Sequence, residues 1–142
     1  MRRGLVAALS VLAATLGAGC SLDWEPVDRA GMRSCLQDGG ARVGPPPRGV
    51  AGLRRLAAAD GAEALLAVRR GTDARRRAWA VLAFFNGAER AEDAAADRLT
   101  APLRTTRRQN VVAVFGRSDR FGRAPTGAEE RRLQFCFDRA SA

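Results

Sequence analysis

From residue 28 onward, apolar side chains recur with two periods, and glycine, proline and asparagine mark where each run stops. Met32, Cys35 and Leu36 fall at i, i+3 and i+4 and predict a helix over 28–38, stopped by Gly39-Gly40. Arg42-Val43 reads as a short strand before the Pro45-Pro46-Pro47 loop, which has no backbone N–H to donate. Leu53, Leu56 and Ala57 suggest a helical turn or two. Residues 61–70 carry two readings. Asp60-x-x-Glu63 and Arg69-Arg70-Gly71 look like the start and end of a helix, yet Ala64 to Arg70 also fits a strand folding back onto 78–85. Ala78 to Phe85 is eight apolar residues ending at Asn86-Gly87, which predicts a strand buried on both faces. Residues 88–99 predict an alanine-rich helix with Ala88, Ala91, Ala95 and Leu99 on one stripe. Asn110 to Phe115 is β-branched and predicts a strand. Thr126-x-x-Glu129 is a capping box opening a last helix with Leu133, Cys136, Phe137 and Ala140 on one face.

These elements predict an α+β domain over 27–142, with a small sheet of two to four strands and helices packed on it. The 24 residues between the strands at 78–85 and 110–115 are enough for a parallel, right-handed strand–helix–strand crossover. A length of 142 residues suits one such domain plus a short extra segment.

The extra segment is N-terminal. Met1-Arg2-Arg3 is positively charged, and Leu5 to Leu16 is an uncharged run rich in Ala, Leu and Val. Gly17-Ala18-Gly19 then leads directly into Cys20. This is the order of an export signal over 1–19. As a helix the apolar run rises about 18 Å, short of the roughly 30 Å of a bilayer core. The small residues before Cys20 resemble the lipobox of bacterial lipoproteins, with Leu16 one position earlier than that family usually has it. The resemblance implies a diacylglyceryl group on the Cys20 thiol and cleavage just before it. Residues 20–26 would then be a short tether, and the domain would sit on the outer face of the cell membrane. Cleavage by an ordinary signal peptidase near Gly19 to Ser21 would instead release a secreted protein. Across 28–139 the pattern loosely resembles uncharacterised small exported proteins of actinobacterial type, a likeness that lends no activity.

The three cysteines fit the lipidated reading. With Cys20 acylated, Cys35 and Cys136 remain, and an oxidising compartment favours joining them. Such a bridge would tie the first helix to the last, with an idealised chain-entropy gain of about 4.7 kcal/mol. Two separate buried thiols are the alternative.

Composition limits the chemistry further. There is no histidine, which removes Ser-His and Cys-His catalysis and histidine-bearing metal sites. Glu89, Glu92, Asp93 and Asp97 share one helix with Arg90 and Arg98, as a solvated face does. The expectation is a non-catalytic protein with no cofactor and no metal. The net charge is +9, and all 24 basic residues are arginine. The absence of lysine, isoleucine and tyrosine reflects GC-rich coding, so the charge is weaker evidence for an anionic partner than it looks. Few aromatics and no reader module argue against nucleic acid.

Two arginine groups remain as candidate contacts. In a parallel crossover Arg75, Arg76 and Arg77 share one end of the sheet with Arg107 and Arg108, forming a basic rim for lipid headgroups, an anionic envelope polymer or a protein partner. The other end would hold Asn86-Gly87 and Gly116-Arg117-Ser118. There Phe115-Gly116-Arg117 and Phe121-Gly122-Arg123, with Arg120 between them, form a doublet suited to a small anionic ligand if the protein is freely secreted.

Overall fold

Two helix starts are set locally. The Asp28 side chain accepts from the amides of Ala30 and Gly31 and opens α1, Arg29–Asp38. Thr126 accepts from the Glu129 amide while the Glu129 carboxylate accepts from the Thr126 N–H, opening α4, Gly127–Ala140. In this computed structural model, which describes residues 25–46, 51–72, 77–96, 103–117 and 121–141, those two helices lie together on one face of an antiparallel sheet. Cys35 and Cys136 are joined across them, with Cα atoms 5.6 Å apart. Met32, Leu36, Leu133 and Phe137 are buried beneath the bridge.

Between α1 and α4 come β1 (Ala41–Gly44), α2 (Ala51–Ala59), β2 (Ala62–Arg70), β3 (Ala78–Phe85), α3 (Ala88–Ala96), β4 (Thr105–Arg108) and β5 (Val111–Phe115). The strand order is β1-β2-β3-β5-β4, so the sheet has five strands among the described residues, more than the two to four expected. α2 and α3 cover the second face. Their Leu53, Ala57, Ala91 and Ala94 meet Ala67, Val81, Ala83, Phe85, Val112 and Val114. All eight residues of β3 are buried, because the sheet is covered on both sides and β3 lies at its centre. A β-bulge near Val68 shifts the register, so Trp79 joins Ala80, Leu82 and Phe84 on the α1/α4 side rather than alternating away.

The open reading of 61–70 resolves as strand. Its ladder with β3 runs from Ala62 opposite Phe85 to Arg69 opposite Ala78, and Glu63 is the extra residue of a second irregularity. The parallel crossover between 78–85 and 110–115 is not what forms. β5 is antiparallel to β3, with Phe84 opposite Val111 and Ala80 opposite Phe115. The cause is β4. The chain returning from α3 enters β4 at the sheet edge, running in the same direction as β3. A tight turn at Gln109-Asn110, with Gln109 at φ +48°, then sends β5 back between the two. The helical stripe also shifts: Ala91 and Ala94 are buried and Ala95 partly so, while Leu99 lies outside the described residues.

Candidate functional site: the two ends of the sheet

The sheet has a proximal end, where the described chain enters, and a distal end opposite. Val27 enters beside the β4–β5 turn. Its N–H donates to Asn110 Oδ1 at 2.8 Å, and Asn110 Nδ2 donates to the Phe85 carbonyl at 3.3 Å. The buried Asn110 is thereby spent on holding three segments together. The Asp28 N–H donates to the Ala140 carbonyl, closing the same end. A cleft of about 520 Å³ lies here, lined by Val27, Arg29, Glu63, Phe84, Asn86 and Asn110 among others.

Arg107 and Arg108 end β4 at this proximal end. Arg108 pairs with Asp138 at 2.9 Å, and Arg107 approaches Glu92 at 3.7 Å. Arg77, immediately before β3, is at the distal end. Of the predicted rim, Arg77 therefore lies a strand length from Arg107 and Arg108, because β5 runs antiparallel to β3 and not parallel to it. Asn86-Gly87 is likewise separated from Gly116-Arg117. Cys20, Arg75, Arg76 and Arg120 lie outside the described residues.

The distal end gathers different partners. β2 ends in Arg69-Arg70, β3 follows Arg77, and β5 runs into Gly116-Arg117. Arg42 of β1 sits opposite Arg69. The Phe-Gly-Arg doublet is built into this edge. Phe115 is buried on the α1/α4 side and Phe121 on the α2/α3 side. Gly122, at φ +58°, lies so close to Ala78 that a Cβ would fall 1.7 Å from the Ala78 carbonyl oxygen; one on Gly116 would meet the Arg123 carbonyl at 2.3 Å. The backbone at Gly116 and Gly122 is thus packed against its neighbours, and Arg117 is exposed.

Arg123 turns sideways to Glu129. Its two terminal nitrogens donate to the two carboxylate oxygens, while Arg70 Nε lies 3.3 Å from Oε1 and the Thr126 N–H donates to Oε2. Burial works against the charged carboxylate. The Arg123 hydrogen bonds, the Thr126 amide and the positive charges of Arg123 and Arg70 outweigh it and hold the group at about 2. Next to it, Arg104 donates to both oxygens of Glu130 and stacks 4.3 Å over the Phe115 ring. That pairing raises the Arg104 pKa and lowers that of Glu130.

A cleft of about 270 Å³ opens beside Glu129, with Trp79 and Leu36 in its wall and Arg70 and Arg132 on its rim. Arg132 Nη2 donates to the Cys35 carbonyl at 2.6 Å. Arg70, Arg132 and Glu129 were not among the expected site residues. The Thr126 capping box already located Glu129 in the chain, but Arg70 reaches it only if 62–70 is a strand. Among the described residues no group of three or more Cys, Asp or Glu side chains could hold a metal ion, and no helix is long and apolar enough to cross a membrane. No protein-family model, curated protein or solved structure matches this chain.

Proposed function

We propose that this protein is a lipid-anchored, extracytoplasmic, non-catalytic domain, held by an acylated Cys20 and acting by surface contact with another envelope component. The observation that carries the proposal is the ordered N-terminal pattern: basic residues, a short apolar run, small residues, then Cys20. The Cys35–Cys136 disulfide supports it twice. It suits an oxidising compartment, and it leaves Cys20 as the one cysteine without an intramolecular partner to explain. A tether over 20–26 reaches at most about 25 Å, so the Val27 end faces the bilayer and the distal arginines face away from it.

Intact mass spectrometry of the protein from membrane and medium, before and after reduction, tests this. The expected species starts at Cys20, carries acyl mass and gains about two hydrogens on reduction. A species in the medium that starts near Cys20 without lipid overturns anchoring and leaves a secreted binder.

A further inference from the structure

We infer that the cleft at the proximal end of the sheet is a binding site for a small zwitterion, a molecule that carries both an ammonium group and an oxyanion. The inference goes beyond the anchored reading and does not depend on it. The cleft measures about 520 Å³, a size common among sites for small molecules. Its apolar lining includes Val27, Phe84 and Phe85, all buried. Its charged lining is Asp28, Arg29 and Glu63. Asp28 is committed to α1, since both of its carboxylate oxygens accept from amides of the first turn. Arg29 and Glu63 are exposed, and among the described residues neither makes an ion pair or a side-chain hydrogen bond. Three other clefts differ. Beside Trp79, Arg70 is held by Glu129 and Arg132 by the Cys35 carbonyl. In the two clefts along β4, Arg104 is bound to Glu130, Arg108 to Asp138, and Arg107 approaches Glu92.

The backbone brings Glu63 to this place. In a regular strand neighbouring side chains point to opposite faces, so Glu63 would turn away from Ala64. Glu63 is instead the extra residue of the irregularity at the start of β2, and it lines the cleft together with Ala64 and Phe84 of the α1/α4 layer. Such a bulge re-aims a side chain. Arg29, the first residue of α1, reaches the same cleft from another element. Two opposite charges therefore share one cleft without closing on each other. A bare anion would be repelled by Glu63, and a bare cation by Arg29. A zwitterion answers both, with its ammonium at Glu63, its oxyanion on the Arg29 fork and its carbon skeleton against the apolar lining. The exposed Asn86 amide adds a donor and an acceptor. Two sources carry this chemistry: a free α-amino acid, and the phosphoethanolamine headgroup of a phospholipid.

Amide chemical shifts of the full, isotope-labelled protein in non-ionic detergent are followed during titration with leucine and with phosphoethanolamine, up to about 20 mM. The expected result is saturable shifts at Val27, Ala64, Asn86 and Gly87 with at least one of the two. Saturation by leucine alone assigns the site to a free amino acid, and by phosphoethanolamine alone to the headgroup; each supports the proposal. N-acetylleucine lacks the ammonium and leucinamide the carboxylate, and each should bind about fivefold more weakly than leucine. Ethyl phosphate and ethanolamine stand in the same relation to phosphoethanolamine. Glu63→Gln should weaken the zwitterion about fivefold and abolish the penalty for losing the ammonium; Arg29→Gln should do the same for the oxyanion. The equal-charge controls Asp38→Asn, at the far end of α1, and Arg54→Gln, on α2, should change affinity by less than about twofold. All four side chains are exposed, so the variants keep the fold. Saturation by neither probe overturns the proposal. So do analogues with one charge that bind as tightly as the zwitterion, and so do equal losses in the controls. The mass of Cys20 is read separately and bears on the anchor alone.

Discussion

The two faces of the sheet are covered in opposite ways. On one, α1 and α4 bring Met32, Leu36, Leu133 and Phe137 onto Trp79, Phe84 and Phe115, and a disulfide crosses the layer. On the other, α2 and α3 bring mostly alanine, with Leu53 as the one large buried side chain they contribute among the described residues. Large side chains bury more apolar area per contact, at about 25 cal/mol per Å². Small ones let short helices approach closely but contribute less each. The same strands thus support a locked layer and a thin one, and α2 and α3 are expected to open before the rest.

The largest effect should come from the locked layer. Phe137 is fully buried, and Phe137→Ala should cost about 3–5 kcal/mol in urea unfolding. Replacing both bridge cysteines with serine should cost about 2–5 kcal/mol, with the loss appearing as a lower urea midpoint. Leu53→Ala on the thin layer should cost only about 2 kcal/mol, because alanine-lined helices settle into the space, and should speed amide exchange in α2 more than in α4. A loss as large as that of Phe137→Ala would erase the distinction between the faces. The smallest effect lies at the edge of the locked layer. The Glu129 carboxyl, ordinarily at 4.5, is held at about 2 in the folded protein. Its contribution is therefore complete above about pH 4.5 and lost as the pH falls toward 2. Glu129→Gln should cost about 1–2 kcal/mol at pH 7 and flatten stability against pH across that window, as measured by thermal unfolding.

What the sequence made legible was local. Asp28 and the Thr126–Glu129 box each fix a helix start within a few residues, and the runs at 78–85 and 111–115 are strands by composition alone. With Cys20 set aside by the lipobox resemblance, Cys35 and Cys136 on apolar helix faces were the expected pair, with separate thiols as the alternative, and the two are joined. What stayed hidden depends on partners far along the chain. Thr-Thr-Arg-Arg at 105–108 has no buried apolar run, since an edge strand needs only backbone bonds to Val111–Val114. Missing β4 reversed the direction assigned to β5, and with it the end of the sheet on which Arg107 and Arg108 lie. The segment 62–70 was ambiguous because Ala, Leu and Val suit either period, and its ladder with β3 decides the matter. The arginine groups were individually visible. Their grouping was a property of strand order.

The disulfide has a mechanical consequence. Every strand lies in the stretch of chain enclosed between Cys35 and Cys136. Tension applied at Val27 and drawn off through the end of α4 passes from α1 into α4 across the sulfur bridge and bypasses the sheet. Only the segments outside the bridge can lengthen under load, after the Val27–Asn110 and Asp28–Ala140 clasps give way. Once those clasps have parted, a domain pulled between Val27 and the end of α4 would therefore stretch by little more than part of α1 and the end of α4, while the strands between them carried no load.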